Sequence, residues 1–339
     1  MIHESAARVR ACPICGRRSE TLLYSISSAV AAKVFAVGLE RPQYIEVQRS
    51  IERIWARESC DFLLCEECTF AFADPFVAAT PEFYARLYST STAYAESKWE
   101  FERTLSAIEA LVEDGTINKF AMLDVGAGAG AFASRASDAF SGRTTILCTE
   151  YSECGRELIR DQGLSCLQGG LMDIDAIEYA HGFDIICLFQ VLEHMDHVDS
   201  VFGQLTALAS DRAHLFIAVP NHKQRSYFDT LGFHEDLPPV HIGRWNRRSL
   251  QLVAERHGWK LEEDATEPQP FSSKVRHLAG QFYLANSAVQ RLGRLRHRSI
   301  RRALRAGLIA LLLLRSVRAV LGLTSKNLGI AYWAHLSRR

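Results

Sequence analysis

A glycine-rich stretch at residues 121–130, AMLDVGAGAG, most constrains the fold. An apolar run ends at Asp124, Gly126, Gly128 and Gly130 follow at alternate positions, and an Ala/Ser-rich helical segment comes next. Glycine reaches backbone conformations closed to residues with a Cβ, and it lets a ligand lie on main-chain N–H groups at a helix N-terminus. The stretch predicts a strand, a tight turn and a helix that bind a nucleotide-like ligand.

A second acid, Glu150, lies at the end of the next apolar run, TTILCTE. An acid at this distance from the glycines accepts hydrogen bonds from ribose hydroxyls. Nicotinamide dinucleotides and S-adenosylmethionine both carry such a ribose, and Gly126-x-Gly128-x-x-Ala131 also satisfies the relaxed dinucleotide fingerprint. The turn alone therefore leaves both cofactors open, as well as a glycine turn without a ligand.

Apolar runs alternate with helical patterns from residue 119 onward. Strands are predicted at 121–125, 144–149, 183–189 and 214–219, with helices from about residues 152, 199 and 248. This alternation predicts an α/β fold, a parallel sheet with helices on both faces. Ligands bind such sheets beyond the carboxyl ends of the strands, where all of these motifs lie.

Four segments, in order along the chain, resemble the class I S-adenosylmethionine-dependent methyltransferases. The family's first motif, an acid followed by x-Gly-x-Gly-x-Gly, is matched by residues 124–130. Residues 183–197 (FDIICLFQVLEHMDH) resemble its fourth strand and following loop, residues 214–221 its fifth strand, and residues 237–259 a segment common in one bacterial subgroup. The resemblance favours S-adenosylmethionine over a nicotinamide cofactor. It implies a Rossmann-like, seven-stranded, doubly wound sheet.

The resemblance also implies which residues bind the cofactor. They are Asp124, Gly126, Gly128, Gly130, Glu150, Leu171, Met172, Gln190, Val191 and Tyr94. Leu171 and Met172 are implied to hold the adenine, although Met172 equally fits a core position. Gln190 and Val191 are implied to lie beside the methionine part, and Tyr94 belongs to a helical region that covers the cofactor and lines the acceptor pocket.

Histidines are the candidate bases. Methyl transfer from a sulfonium is an in-line displacement, and a base near neutral pKa then takes the acceptor's proton. His194 and His222 follow the predicted strands at 183–189 and 214–219, and His241 lies in the Pro-Pro-Val-His loop. His194 follows Glu193 in a pair that borders the active site of the resembling subgroup, and His241 is the second His of a Pro-Pro-His-His pattern whose first is here Val240. We predict catalytic roles for His194, His241 and Glu193, with a structural role as the alternative.

Two CxxC pairs, Cys12/Cys15 and Cys65/Cys68, predict a zinc site. Four thiolates around a tetrahedral zinc can hold together a module too small for its own core. The pairs are 49 residues apart, whereas paired knuckles usually lie about 15–20 residues apart. Cys60 is therefore an alternative ligand.

The segment between the two pairs has apolar residues at helical spacing, which predicts an inserted helix packed on the knuckles. They are Tyr44, Val47, Ile51, Ile54 and Trp55. The region resembles the zinc-binding N-terminal part of bacterial sugar methyltransferases, although Thr69 stands where that subgroup commonly has Gly. The resemblance implies a sugar acceptor, nucleotide-linked or in a surface-polysaccharide precursor.

The C-terminal region is strongly basic. The 72 residues after Glu267 contain 14 Lys and Arg and no acid, so this segment has a formal net charge of +14. The formal net charge of the whole chain is zero, so residues 1–267 carry −14. Arginines 291, 294, 298, 301 and 305 recur at helical spacing, and residues 306–314 form an apolar run too short for a membrane span of about 20 residues. Residues 326–335 read as a final strand. The basic helices are thus predicted as an insertion before the last strand.

Three interpretations of the basic insertion remain open: helices packed on the acidic body, an amphipathic helix on an anionic membrane, or an RNA-binding surface. The aromatic residues that stack on bases are not interleaved with the arginines, which disfavours nucleic acid. The chain has nine Cys, and its N-terminus lacks the apolar core of a secretory signal. These features predict a cytoplasmic protein with reduced thiols, and the membrane interpretation would place it at the inner face of the membrane.

The predicted organisation is a zinc-binding, zinc-ribbon-like module at 1–75, a helical cover at 76–118, the cofactor-binding core at 119–270, the basic insertion at 271–323 and the final strand at 324–339. The predicted function is S-adenosylmethionine-dependent methylation of a sugar or similar small acceptor. An RNA methyltransferase and a non-catalytic scaffold of the same fold are the alternatives. The acceptor and the oligomeric state are left open.

Overall fold

A computed structural model describes residues 11–35, 41–88, 97–234, 236–285, 298–315, 317–324 and 327–339. The chain divides into two compact units. The first comprises Met1–Pro220, Asp236–Ala265 and Ala331–Arg339, and the second comprises Asn221–Glu235 and Thr266–Ile330.

The described residues form eleven strands and twelve α-helices. The strands are β1 (Glu20–Ser27), β2 (Ser59–Cys65), β3 (Ala71–Asp74), β4 (Phe120–Val125), β5 (Thr144–Glu150), β6 (Ser165–Gln168), β7 (Phe183–Phe189), β8 (Ala209–Pro220), β9 (Gly243–Arg244), β10 (Trp259–Thr266) and β11 (Ala331–Arg338). The helices are α1 (Ser28–Phe35), α2 (Arg41–Trp55), α3 (Pro81–Tyr88), α4 (Trp99–Glu113), α5 (Ala131–Ala139), α6 (Glu153–Asp161), α7 (Val198–Leu208), α8 (His222–Asp229), α9 (Arg247–Arg256), α10 (Phe271–Ala285), α11 (Arg298–Arg315) and α12 (Val317–Gly322).

The main sheet has seven strands in the order β10-β11-β8-β7-β4-β5-β6. Strands β4 to β8 pair in parallel, whereas β11 pairs antiparallel with β8. The chain runs outward from β4 to β5 and β6, then returns to β7 and β8 on the other side. The predicted doubly wound seven-stranded sheet is confirmed, and its topological switch point lies between β4 and β7, where such sheets bind ligands.

Alternating side chains of the central strands cover both faces of this sheet. In β8, Leu215, Ile217 and Val219 join the cluster that contains α7 and α9, while Phe216 and Ala218 join the cluster that contains α4 and α5. Because successive side chains of a strand point to opposite faces, a strand buried on both faces reads as one continuous apolar run. The run HLFIAVP has this property.

A second, four-stranded sheet has the order β1-β2-β3-β9. Helix α2 matches the helix predicted between the two Cys pairs, but its packing was predicted wrongly. Val47, Ile51 and Trp55 pack with Cys60 and Phe62 in a cluster separate from the one that contains the four CxxC sulfurs. The helix thus stabilises the small sheet and not the knuckles.

One further boundary differs from the sequence prediction. The last strand starts at Ala331, five residues later than predicted. The predicted helical cover contains α3 and α4, of which α4 starts at Trp99. The preceding residues 89–96 lie outside the described part of the chain.

The second unit is helical and has its own core. That core consists of Tyr227, Phe228, Leu278, Ala319, Leu323 and Leu328. The buried side chain of Asn221 donates from Nδ2 to the carbonyl of Gly329 at 2.7 Å, which joins the two segments of the unit. Of the predicted arginine stripe, Arg291 and Arg294 lie outside the described residues, and the other three belong to α11. Within the described ranges, no helix combines the length and apolar character needed to cross a membrane.

Candidate active site

The glycine turn after β4 has the left-handed backbone that its sequence predicts. Gly126, Gly128 and Gly130 have φ of 67°, 61° and 77°, in the left-handed region that favours glycine. A Cβ on Gly126 would lie 2.9 Å from Val191 Cγ2, and a Cβ on Gly130 would lie 2.9 Å from Ile159 Cγ1. The turn therefore excludes side chains on both steric and conformational grounds.

Glu150, at the end of β5, holds this turn in place. Its Oε2 accepts from the backbone N–H of Gly128 at 2.9 Å, and its Oε1 accepts from the N–H of Ser152 at 2.8 Å. A carboxylate has further lone pairs beyond these two bonds. Glu150 can thus order the turn and still accept hydrogen bonds from a ligand.

Asp124 is the second-last residue of β4 and lines a pocket. The carboxyl is buried, and within the described part of the chain its Oδ2 has no hydrogen-bond partner. Burial raises the pKa of Asp124 to about 7, although the nearby charge of Lys98 acts in the opposite direction. The pocket is lined by Lys98, Phe101, Asp124, Phe132, Phe189 and residues 126–129 and 131. A buried acid with one unsatisfied oxygen among the described residues, in a pocket that a lysine also lines, suits a zwitterionic ligand.

The loop after β7 lies against the glycine turn. Gln190 has φ of 60°, and its Nε2 donates to Glu100 Oε1 at 3.1 Å. Val191 contacts Gly126, as the close approach of its side chain shows. The predicted neighbours of the methionine part, Gln190 and Val191, are therefore adjacent to the turn.

The two predicted adenine residues differ in exposure. Leu171 is buried in the core, while Met172 is 54% exposed on the 3-10 turn Leu171–Asp173. Exposure removes the alternative interpretation of Met172 as a core residue. Tyr94 lies outside the described residues.

The three predicted catalytic side chains lie together. Their ligand-type atoms, one each from Glu193, His194 and His241, are all within 4.8 Å of one another. The two imidazole rings are 4.6 Å apart between centroids and nearly perpendicular. Glu193 and His194 come from the 3-10 turn Leu192–His194 after β7, and His241 comes from the loop before β9. Segments distant in sequence thus form one polar cluster, which we call the Glu-His-His cluster.

The two histidines are oriented by their neighbours. His194 Nδ1 is 2.7 Å from the carbonyl oxygen of Val240 and 3.2 Å from the Tyr84 hydroxyl. His241 Nδ1 is 3.3 Å from Asp236 Oδ1, without the geometry of a hydrogen bond. Because a carbonyl oxygen only accepts, the contact with Val240 favours a proton on His194 Nδ1 and a lone pair on its Nε2.

Burial sets the charges in the Glu-His-His cluster. Desolvation lowers the pKa of His194 to about 3 and raises the pKa of Glu193 to about 7. His194 is therefore a neutral imidazole at physiological pH, and its Nε2 carries a lone pair.

The four CxxC sulfurs also lie together. Cys12 Sγ is 3.5 Å from Cys68 Sγ, Cys15 Sγ is 3.5 Å from Cys65 Sγ, and all four lie within 4.8 Å. Sulfurs about 2.3 Å from one tetrahedral zinc are about 3.8 Å apart, so the set fits that ion. Cys60 is outside the cluster, and its buried Sγ is 3.6 Å from the Asp61 carbonyl.

The Cys cluster is connected to the loop that carries His241. Asn246 Nδ2 donates to the Thr69 carbonyl at 2.7 Å, and the rings of Phe70 and Trp245 are 5.0 Å apart. Ile242 N donates to the Glu193 carbonyl at 3.0 Å, while its own carbonyl accepts from Ala73 N. Strand β9 therefore joins the small sheet to the Glu-His-His cluster.

Sequence reasoning missed three polar residues of this site, namely Lys98, Tyr84 and Asp236. Tyr84 lies in the predicted helical cover, and neither Lys98 nor Asp236 belongs to a recognisable motif. Their place next to predicted site segments was the signal that could have found them. The third candidate histidine, His222, begins α8 in the second unit.

Residues 94–264, half of the chain, match a protein-family model described as a methyltransferase domain. Among solved structures, an S-adenosylmethionine dependent methyltransferase from Mesorhizobium loti is 11% identical with a TM-score of 0.45, over 72% of this chain and 100% of that chain. Magnesium protoporphyrin IX methyltransferase from Synechocystis, solved with bound SAH, is 11% identical with a TM-score of 0.43, over 76% and 93% of the two chains. No curated protein matches. Because the family model covers half of the chain, the protein belongs to the methyltransferase-domain family, and its sheet is the Rossmann-like fold of class I S-adenosylmethionine-dependent methyltransferases.

Proposed function

We propose that the protein transfers the methyl group of S-adenosylmethionine to a sugar, either nucleotide-linked or in a surface-polysaccharide precursor. One observation carries this proposal. Glu193 and His194 of the Glu-His-His cluster follow directly on Val191, which contacts the glycine turn, and this supports a cofactor site next to a proton-accepting site. A scaffold that only packs a sheet needs neither.

Five residues are proposed to hold the cofactor. Asp124 would accept from its ammonium group and Lys98 would face its carboxylate, since both line the pocket. Glu150 and the Gly128 region would bind the ribose, and Met172 would cover the adenine. S-adenosylmethionine supplies a methyl group on a positively charged sulfur, which an acceptor oxygen or carbon displaces in line.

The histidines of the cluster are proposed to take the proton of the acceptor. His194 Nε2 is 3.8 Å from Glu193 Oε1, and the His241 ring is at right angles to the His194 ring. An acceptor hydroxyl that enters this cluster meets a neutral imidazole nitrogen whose other nitrogen is already engaged. General-base catalysis of this kind contributes about 10²–10⁴-fold.

The four cysteines are proposed to hold a structural zinc ion, and the zinc module is proposed to fix the His241 loop through β9. The choice of a sugar as acceptor is supported by the resemblance of the Cys module and of residues 237–259 to bacterial sugar methyltransferases. Both segments contribute to this one connected region.

Intact-mass profiling with labelled S-adenosylmethionine and a panel of nucleotide-sugars tests the proposal. We expect a labelled sugar product, with turnover reduced by about 10² or more in His194→Ala or His241→Ala, while cofactor affinity measured by calorimetry stays within a few fold. His197→Ala is the matched control, because its side chain is 83% exposed. Methylation of RNA instead of any sugar, or normal turnover in both variants, would contradict the proposal.

A further inference from the structure

The Glu-His-His cluster has the spacing of a metal site. Glu193 Oε1 and His194 Nε2 are 3.8 Å apart, and the third ligand-type atom, from His241, lies within 4.8 Å of both. Nitrogen and oxygen ligands about 2.1 Å from one ion lie roughly 3–4 Å from each other. Small rotations of these side chains would therefore bring all three to one ion.

His194 is oriented as a metal-binding histidine is. In metal sites, the ring nitrogen that does not bind the ion donates to a carbonyl or carboxylate, which fixes the tautomer. His194 Nδ1 contacts the Val240 carbonyl at 2.7 Å, so its Nε2 is the nitrogen that can bind an ion. The other histidine has a carboxylate beside it, because His241 Nδ1 lies 3.3 Å from Asp236 Oδ1.

The carboxylate in the cluster lacks such a partner among the described residues. Glu193 is 1% exposed, and neither carboxylate oxygen accepts a hydrogen bond within the part of the chain that the structure describes. Burial of a carboxylate without a hydrogen bond or a counter-charge is costly. A cation in contact with Glu193 would offset that cost.

We propose that Glu193, His194 and His241 bind one divalent first-row transition-metal ion. Two imidazoles and one carboxylate are a ligand set that such ions accept, with further positions open for water or substrate. This site differs in position and in ligand chemistry from the Cys cluster. The binding of this ion does not depend on the proposed function, whereas its role in catalysis rests on it. In methyl transfer the ion would lower the pKa of a bound acceptor hydroxyl, and the imidazoles would act as metal ligands.

Titration of zinc-loaded, full-length protein with Co²⁺ tests this inference, followed by calorimetry and by visible absorption. With zinc already on the thiolates, we expect one Co²⁺ per chain with nitrogen and oxygen ligands and without thiolate charge-transfer bands. Glu193→Gln and His241→Ala should abolish this binding, and Asp236→Asn, which removes the carboxylate beside His241, should weaken it by about 10–100-fold.

His197→Ala is the control, since its exposed side chain lies only three residues beyond His194. It should bind Co²⁺ as the wild type does. S-adenosylmethionine binding by each variant reports that the core is folded. Failure of the wild type to bind Co²⁺, thiolate charge-transfer bands, or unchanged binding in Glu193→Gln and His241→Ala would overturn the inference.

Turnover separates this inference from the proposed function. If Co²⁺ does not bind while His241→Ala still reduces methyl transfer, the metal site is wrong and an imidazole base remains. If Co²⁺ binds and His241→Ala abolishes its binding but leaves methyl transfer unchanged, the metal site stands and the proposed role of the cluster in catalysis is wrong.

Discussion

At the residue scale, two buried acids define the two ends of the candidate site. Asp124 and Glu193 are both nearly inaccessible to solvent, and burial raises the pKa of each carboxyl to about 7. Neither acid is needed for packing, because an amide of equal size would fill the same volume without the cost of desolvating a charge. Strongly perturbed acids in a cleft are typical of functional sites.

The cofactor affinity should depend on pH through Asp124. Its charged form would bind the ligand's ammonium, and below its pKa of about 7 the carboxyl must first lose a proton. Lys98 lowers this pKa and Glu150 raises it. We expect S-adenosylmethionine to bind about tenfold more weakly at pH 6 than at pH 8.

Calorimetry at several pH values measures this effect. Asp124→Asn should bind more weakly at pH 8, by about 1.5–3 kcal/mol, and should lose most of the pH dependence. Asp138→Asn, which changes an exposed acid on α5, should keep the wild-type profile. An unchanged profile in Asp124→Asn would refute the role of Asp124.

The glycine turn was predictable from sequence because its positive φ angles require glycine, and the two acids at the strand ends were predictable from their spacing to that turn. Lys98 and Asp236 were not, because a charged residue without special backbone geometry looks like any solvated side chain. Thr69 shows the same principle in reverse: its φ of 58° lies in the left-handed region, which accounts for the Gly common at this place in the resembling subgroup.

At the scale of elements, β9 is the connection that matters most. It has two residues, yet it pairs with β3 of the small sheet and follows directly on the loop that carries His241. A strand this short has no sequence signal, and its partner is about 170 residues away in sequence, so pattern reasoning does not find such pairings. The sequence analysis also did not predict strand β1 and helix α1. Exposed apolar residues in both elements obscure the periodic spacing of the buried positions.

Loss of the Cys cluster should therefore affect catalysis more than cofactor binding. In Cys65→Ser/Cys68→Ser we expect about one zinc fewer per chain, a loosened β3–β9 pairing and a turnover at least tenfold lower, with S-adenosylmethionine affinity within a few fold. Elemental analysis, turnover and calorimetry measure the three quantities.

Cys60→Ala is the matched control for this experiment, because Cys60 is buried nearby but lies outside the cluster. It should retain its zinc. Zinc loss from Cys60→Ala, or full zinc retention in the double variant, would contradict the assignment of the four ligands.

At the scale of the whole molecule, the chain separates an acidic part from a basic part. The basic segment after Glu267 contains helix α11. In this helix the side chains of Leu304, Leu311 and Leu314 are 48%, 44% and 70% exposed, and Arg302 is also exposed. Exposed leucines and basic residues on one helix suit the surface of an anionic membrane. Peripheral membrane contact therefore remains our proposal for the second unit.

Sedimentation with liposomes tests that proposal. The full-length protein should bind anionic liposomes more strongly than neutral ones, with binding that weakens as salt rises. Leu304→Gln/Leu311→Gln should bind less, whereas Ile177→Gln, which alters a residue that is 90% exposed in the other unit, should bind like the wild type. Equal binding to both kinds of liposome, or no binding, would contradict the proposed membrane contact.

A crystal structure with bound S-adenosylmethionine would show whether the cofactor and acceptor sites adjoin at the switch point between β4 and β7. We expect the ribose on Glu150, the ammonium group on Asp124 and the sulfonium methyl directed towards the Glu-His-His cluster. A cofactor bound away from the glycine turn, or a methyl group facing away from Glu193, His194 and His241, would contradict this arrangement.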